Sequence, residues 1–479
     1  MNFKLILSVL TCIFSCQPSH SQNYIITKTL EGNDSVSFAL LRTGRNDYGF
    51  GVVNSKGEMV WQIDVPGTPL GMGKFKNNVV LFYTNDKIDG LGSIKEIHAA
   101  MMGLSEKKIL FDKTVYTNPN KNIIEPIVLD DPANNFDYLL IRISPQKGGF
   151  ASIAYKAQNK GHESAQLSII SVDSSLATHT KDLKDIALET FFVGACMGDN
   201  NDVYISSFSK DQLITEKFDE DGNLKGKLTV EASIIGKSKM DPIIEVFPII
   251  KYDTTQKNCV DLAMRYRNEH KDDIIRLFRF NFNGQKAYST EETVLDKSYV
   301  KHFQKDGDKK NKLSNFESID HMNPVQILET NDKVILLKEI QHETGTGSSR
   351  DPQIFYREGN VISFYTKDLH PITEVIIDKY MGSYISGGTS IYSTIKNDKL
   401  YTITCELERQ LTYKTSLWII NTNNDGIEKR TLEKDDAGKA WLTDPTTILW
   451  FNNHFIVPYS SSKAFTRLKF ETDLQSENY

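Results

Sequence analysis

A short phrase recurs along this chain: a strand-like run, a polar turn opened by a turn-forming residue, then a second strand-like run. Clear copies are VVNSKGEMVWQI from Val52, EKFDEDGNLKGKLTV from Glu216, FRFNFNGQKAY from Phe278 and IINTNNDGIEKRTL from Ile419. Looser copies begin at His98, Ile169, Ser363 and Arg467. A repeated unit of this kind constrains architecture more than any single residue does, because each copy must bury its faces against the next.

Four strands can be placed around each copy. From Phe191 to Glu231 they read FFVGACMG, DVYISSFS, QLITEKFD and GKLTVE, and the same order fits Val246 to Val294, Val325 to Ile377 and Ser390 to Leu432. Four antiparallel strands recurring roughly every 45–85 residues are the sequence form of a β-propeller. The expected fold is therefore all-β, one propeller domain over residues 22–479. Eight units are counted, starting near Tyr24, Thr68, Asn122, Leu188, Ile243, Asn323, Thr389 and Trp441. Seven blades is the runner-up, and two packed β-sandwich domains the third reading. The last unit shows three clear strands. Its fourth is expected either from the C-terminal tail or from Tyr24–Thr29, which would close the ring by a shared sheet.

Strand order also predicts which face carries function. In a four-stranded meander the first-to-second and third-to-fourth turns share one face, and here those turns are short. Length variation collects on the other face, in Ser144–Ser164, His342–Gly359 and the crossover Lys297–Asp320. Long loops on a rigid scaffold are where binding usually sits.

The N-terminus reads as an export signal. Lys4 supplies the positive charge, and Leu5 to Phe14 form an apolar run too short to cross a bilayer, which needs roughly 20 helical residues. Two cleavage readings stand. Ser19-His20-Ser21 before Gln22 suits a signal peptide over 1–21. Ile13-Phe14-Ser15-Cys16 resembles a lipobox, with a signal over 1–15 and Cys16 lipidated. The protein is accordingly expected in the periplasm, or at the outer membrane or cell surface if Cys16 carries lipid, with no membrane span. Cys196, Cys259 and Cys405 are too widely spaced for a disulfide framework and read as small buried hydrophobes.

A formal net charge of −6 gives no electrostatic case for nucleic acid as a partner. Motifs of catalysis and metal binding are broken wherever they begin. His162-Glu163 and His342-Glu343 start a metalloprotease pattern, but Gln166 and Thr346 stand where the second histidine is needed. Asp219, Asp221 and Asn223 suggest a calcium loop, but the twelfth position is Val230 where a bidentate Glu belongs. Neither a metal nor a cofactor is expected.

One copy of the phrase carries a resemblance. Asn54-Ser55-Lys56-Gly57-Glu58-Met59-Val60-Trp61 resembles the repeat of quinoprotein-like propellers, a family that commonly builds eight blades. The other copies lack the matching Trp, so the resemblance implies neither a quinone nor a dehydrogenase here, and Trp61 reads as a packing residue.

What remains is a reading by exclusion: an exported, non-catalytic binding or scaffold protein of the bacterial cell envelope, holding a protein or glycan ligand on its long-loop face. The ligand-contacting candidates are His342, Arg350 and Asp351, a polar set in and beside the loop Gly345–Asp351. The alternative is a carbohydrate-active hydrolase or lyase using carboxylates at the channel mouth, where Glu125 and Glu245 begin innermost strands.

Overall fold

The computed structural model describes residues 25–478, except for segments 31–34, 45–46, 76–77, 87–93, 119–122, 130–136, 145–163, 173–175, 188–189, 233–246, 296–321, 345–353, 384–390, 410–411, 424–425, 432–446, 452–453, 459–464 and 470–476 and positions 200, 210, 269, 271 and 292. Among the described residues the strands fall into eight antiparallel sheets, each a meander of four consecutive strands. In chain order, sheets 1 to 8 occupy residues 25–65, 68–117, 123–187, 190–231, 247–294, 322–383, 391–431 and 449–478. Sheet 5 carries a fifth short strand, Thr293–Val294, beside Asp273–Asn281.

First strands of neighbouring sheets lie against one another: Phe247–Tyr252 touches both Thr190–Met197 and Met322–Glu329. First strands are therefore innermost and fourth strands form the rim. This position explains the composition of each strand. Middle strands are covered on both faces by the sheets beside them, so Asn78–Thr84 and Cys259–Arg267 are buried almost end to end; the first reads as a near-continuous apolar run, while the second also buries Asp261 and Arg265. The rim strand Lys108–Thr117 is mostly exposed and carries the charges of Lys108, Asp112 and Lys113. The result is an all-β propeller of four-stranded antiparallel blades.

Each sheet packs on the next through its own apolar cluster. Phe50 and Val52 meet Leu81 and Met102 between sheets 1 and 2, and Phe82 meets Ile170 between sheets 2 and 3. Tyr204 and Phe208 meet Leu262 and Phe278 between sheets 4 and 5. Sheet 8 in turn packs on sheet 1, with Leu449, Phe451 and Ile456 against Ile26, Ala39, Leu41 and Val53. Among the described residues, hydrogen bonds that cross that seam include Thr29 Oγ1 to the Ile448 carbonyl, Ser37 Oγ to the Trp450 carbonyl, and His454 Nε2 with the Ser55 carbonyl.

The strands correct one of the two closure alternatives. Ile25–Leu30 is the innermost strand of sheet 1, paired with Val36–Arg42, and does not complete the last sheet. The outer strand of sheet 8 comes from the tail, Glu477–Asn478 beside Phe465–Lys469. A sheet shared by both ends would need the N-terminal segment to leave a register of five paired residues. The supposed loop His342–Gly359 is also shorter than its sequence suggests. Its ends are strand, running to Thr344 and resuming at Ile354, in register across the gap.

The recurring phrase is the third-to-fourth hairpin of the sheets. In sheet 1, Asn54 Oδ1 accepts hydrogen bonds from the Lys56 and Glu58 amides, both at 2.9 Å, while Gly57 takes φ +85°. In sheet 4, Asp219 accepts the Asn223 amide at 2.7 Å and Gly222 takes φ +74°. Asn281 and Asn421 cap their own turns likewise, through the amides of Gly284 and Asn423. A side-chain oxygen at the turn's first position satisfies amides that the ladder leaves unpaired, and a left-handed residue then reverses the chain. Asp219 is fully engaged in this way: its second oxygen meets Lys225 at 2.8 Å and Asn223 Nδ2 at 3.1 Å. The Lys225 bond, then the Asn223 amide, hold its carboxyl well below the usual carboxylate range. The letters that suggest calcium are turn chemistry.

Candidate functional site

Ionisable side chains concentrate where sheet 5 meets sheet 6, at the end that carries the short turns. The core of the cluster is a register pair. Asp261 on Cys259–Arg267 lies directly opposite Arg279 on Asp273–Asn281, both strands being central and covered on each face. Arg279 is 1 % exposed and Asp261 0 %. The guanidinium reaches both Asp261 oxygens through Nη1, at 2.8 and 2.6 Å, and spends Nη2 on Asp253 Oδ2 and on Gln256 Oε1 at 2.8 Å. Charge-assisted bonds of this kind are the strong ones.

Asp253 opens the first-to-second turn of sheet 5 and organises it. Its Oδ1 accepts from the Thr255 amide and hydroxyl and from the Gln256 amide. Sheet 6 then joins in: Lys367, from its third-to-fourth turn, reaches Asp253 Oδ2 at 2.7 Å and Thr255 Oγ1 at 2.9 Å. Burial would raise the Asp253 carboxyl, but bonds from Arg279, Lys367 and Thr255 outweigh it and hold it at about 2. Asp261 goes the other way, because its burial outweighs the attraction of Arg279 and neighbouring Asp253 adds repulsion.

A second contact ties the innermost strands themselves. Lys251 Nζ donates to Glu329 Oε2 at 2.6 Å and to the Ile327 carbonyl at 3.1 Å. Glu329 closes the innermost strand of sheet 6 with its side chain 2 % exposed, and its Oε1 is buried without a partner. Burial, only partly offset by Lys251 and reinforced by Asp261, pushes its carboxyl to about 7.

A separate polar layer threads sheet 6 towards its opposite end. Arg265 bonds Asn323, Asn323 bonds Gln341, and Gln341 bonds Glu339, whose other oxygen meets Lys379 at 2.9 Å with both side chains at 0 % exposure. Lys379 lies within a bulge of the rim strand, between the pairs Glu358–Tyr380 and Asn360–Ile377. The extra residue re-aims the lysine inward.

The chemistry open to these groups is limited by their pairing. Three acids converge between sheets 5 and 6, as a hydrolase would need, but Asp253 and Asp261 are closed to solvent and each meets a cation. Among the described residues no group of His, Cys, Asp and Glu side chains is disposed to hold a metal ion.

The residues singled out in the sequence are placed unevenly. His342 lies on the second strand of sheet 6 opposite Tyr356, with its side chain outside the described set. Arg350, Asp351, Glu245 and Cys16 lie outside the described residues. Glu125 is on the innermost strand of sheet 3, opposite Arg142. Cys259 and Cys405 are buried and Cys196 half-buried, all as free thiols. Trp61 packs edge-on against Phe50, ring centres 5.8 Å apart. Sequence reading missed the ionic cluster. A partial signal was present: Asp261 and Arg279 stand in central strands rich in apolar residues, but Arg265, Arg267 and Arg276 share those strands and do not join the cluster.

No family model matches the chain, and no curated protein does. Solved structures resemble it at the level of backbone. The WD40 domain of SCAP from fission yeast is 8 % identical with a TM-score of 0.43, over 92 % of this chain and 94 % of that one. Dihydro-heme d1 dehydrogenase NirN is 7 % identical at 0.46, over 100 % and 83 %. The β-propeller domain of the Trilobed protease from Pyrococcus furiosus is 10 % identical at 0.34, over 86 % and 92 %. These similarities carry no activity across.

Proposed function

We propose that this protein is an exported, non-catalytic binding or scaffold propeller of the bacterial cell envelope, with eight blades in its ring. The observation that carries the reading is the state of the converging acids. Asp253 and Asp261 share one guanidinium and have no exposure with which to meet a substrate. A carboxylate pair built for glycoside chemistry must reach both sides of a sugar bond. Asp253 is instead tied across to sheet 6 by Lys367, as Glu329 is to Lys251, which suits a rigid disc that presents loops. The packing of sheet 8 on sheet 1 supports the count of eight. Export rests on the N-terminal pattern, with the two mature ends, Cys16 or Gln22, still open.

The test is a comparison of binding with turnover. The full-length protein is screened on a glycan array and against solubilised envelope proteins, and in parallel on a panel of polysaccharides for released reducing ends or unsaturated products. Saturable binding with no product supports the proposal. Product formation that persists in the Asp261→Asn variant would establish the hydrolase or lyase alternative with other acids. Mass spectrometry of the mature N-terminus from a bacterial host decides between diacylglyceryl-Cys16 and a chain beginning at Gln22.

A further inference from the structure

Lys251 and Glu329 stand on the innermost strands of neighbouring sheets, and both hydrogen bonds of the ammonium cross to the same strand, at Glu329 and Ile327. The two partners are unequal in their access to water. Lys251 is 37 % exposed, so its ammonium rehydrates with little loss if released, whereas Glu329 has 2 % exposure and cannot. Of the carboxylate's two oxygens, only Oε2 has a partner; Oε1 is buried and bare. An ionised carboxylate left with one oxygen unsolvated is costly, and a proton on that oxygen removes the cost.

We propose that the Lys251–Glu329 contact is a proton-operated latch between sheets 5 and 6. With Glu329 ionised, the ammonium clamps the short-turn ends of the two innermost strands. A proton from solvent bound at Glu329 Oε1 converts the carboxylate to the neutral acid, and the pair passes from zero net charge to one positive charge on Lys251. The lysine then turns to water, and that end of the interface is left to Ile249 and Ile327 and the apolar residues around them.

The surroundings favour this assignment over neighbouring acids. Asp261, on the second strand of sheet 5, repels a charge on Glu329, and Asp253 in the turn adds to it. Their own cations, Arg279 and Lys367, are spent on them: Arg279 on both acids, Lys367 on Asp253. Cys196, on the innermost strand of sheet 4, faces the same charges, and its thiol is pushed up by burial and then by Asp261 and Glu329. Asp261 has both oxygens bonded and Asp253 is bonded from three sides. Glu329 alone among these three acids presents a bare oxygen.

The experiment is an NMR titration of the full-length protein over about pH 5 to 9, with glutamate labelled at the side-chain carboxyl carbon and lysine at Nζ. Glu329 is assigned through Glu329→Gln. The expected result is a Glu329 midpoint well above the ordinary 4.5 of a glutamate, with the Lys251 Nζ signal moving at the same midpoint. In Lys251→Met the Glu329 midpoint rises by a unit or more, a tenfold gain in proton affinity. A Glu329 midpoint near 4.5, or a Lys251 signal indifferent to it, overturns the latch. Both midpoints are read on the unmodified protein, the variants serving to assign the signals; Glu329→Asp gives the same assignment where Glu329→Gln does not fold.

Discussion

The side-chain amide of Gln326 makes two hydrogen bonds to the backbone of Ser393: Nε2 donates to the carbonyl at 2.8 Å, and Oε1 accepts from the amide at 3.0 Å. The two residues belong to the innermost strands of sheets 6 and 7, which do not pair with each other as a ladder. A glutamine at a bulge of its own strand, between the pairs Pro324–Lys338 and Gln326–Leu337, stands in for the missing strand partner. Gln326→Leu leaves both Ser393 groups unpaired, and should lower the unfolding free energy by about 1–3 kcal/mol in urea titration. Gln326→Glu keeps the acceptor and should fall between leucine and wild type.

Removing Arg279 should be among the most damaging single changes in the protein. Arg279→Met strands Asp261 in a closed interior and leaves Asp253 only Lys367 as a cation, a loss of about 3–5 kcal/mol by the usual cost of breaking a buried pair. Asp261→Asn leaves Arg279 its bonds to Asp253 and Gln256 and should cost less. The double variant should lose less than the two single losses combined, since each removes the other's stranded charge; the measurement is a double-mutant cycle in denaturant.

Stability should pass through a maximum in mildly acidic solution. Asp253 is depressed to about 2 in the folded state, so its contribution is present above the ordinary aspartate value and fades as pH falls through about 2. Asp261 and Glu329 are raised to about 6 and about 7. Their contribution is full below ordinary carboxylate values and disappears as pH rises through those elevated ones. Glu329→Gln should therefore flatten the alkaline limb. Between pH 5 and pH 8 its stability relative to wild type should improve by about 1–3 kcal/mol, read from denaturation midpoints at each pH.

The turns give a contrasting pair. Gly222→Ala forces φ +74° on an alanine and sets its Cβ 2.5 Å from Lys181 Cγ on the rim strand of sheet 3, a cost of about 1–2 kcal/mol. In sheet 6 the same turn position is Leu369, at φ +62° and 3 % exposed. Leu369→Gly relieves backbone strain but empties a place beside Leu277, Ile327 and Leu336. Packing loss should exceed relief, and thermal melts should show the variant less stable despite its easier backbone.

The turns were legible in the sequence because their chemistry is local: Asn54 or Asp219 caps a reversal within five residues, whatever lies beyond. The strand character of Val260–Tyr266 was legible for a related reason, since its β-branched and aromatic residues favour extended chain; its burial on both faces, with Asp261 and Arg265 inside, was not. The ionic cluster is not local. Asp253 and Lys367 lie 114 positions apart, and nothing in the letters around either one names the other. The path of Tyr24–Thr29 was equally out of reach, because a first strand and a borrowed last strand carry the same alternation of residues. Pairing decided it.

The seam between sheets 8 and 1 sets the order in which the ring can form. Lys251 and Glu329 are separated by 78 positions and Gln326 and Ser393 by 67, but Thr29 and Ile448 by 419. By loop-closure entropy alone the long contact costs roughly 1.6 kcal/mol more than the short ones, a modest thermodynamic difference. The kinetic one is larger, because contacts between distant positions form late. Until sheet 8 docks, Ile26, Ala39, Leu41 and Val53 have no cover on that side. A chain emerging from synthesis therefore carries a sticky flank from its first blade until its last, and this interval is when a chaperone would be needed most.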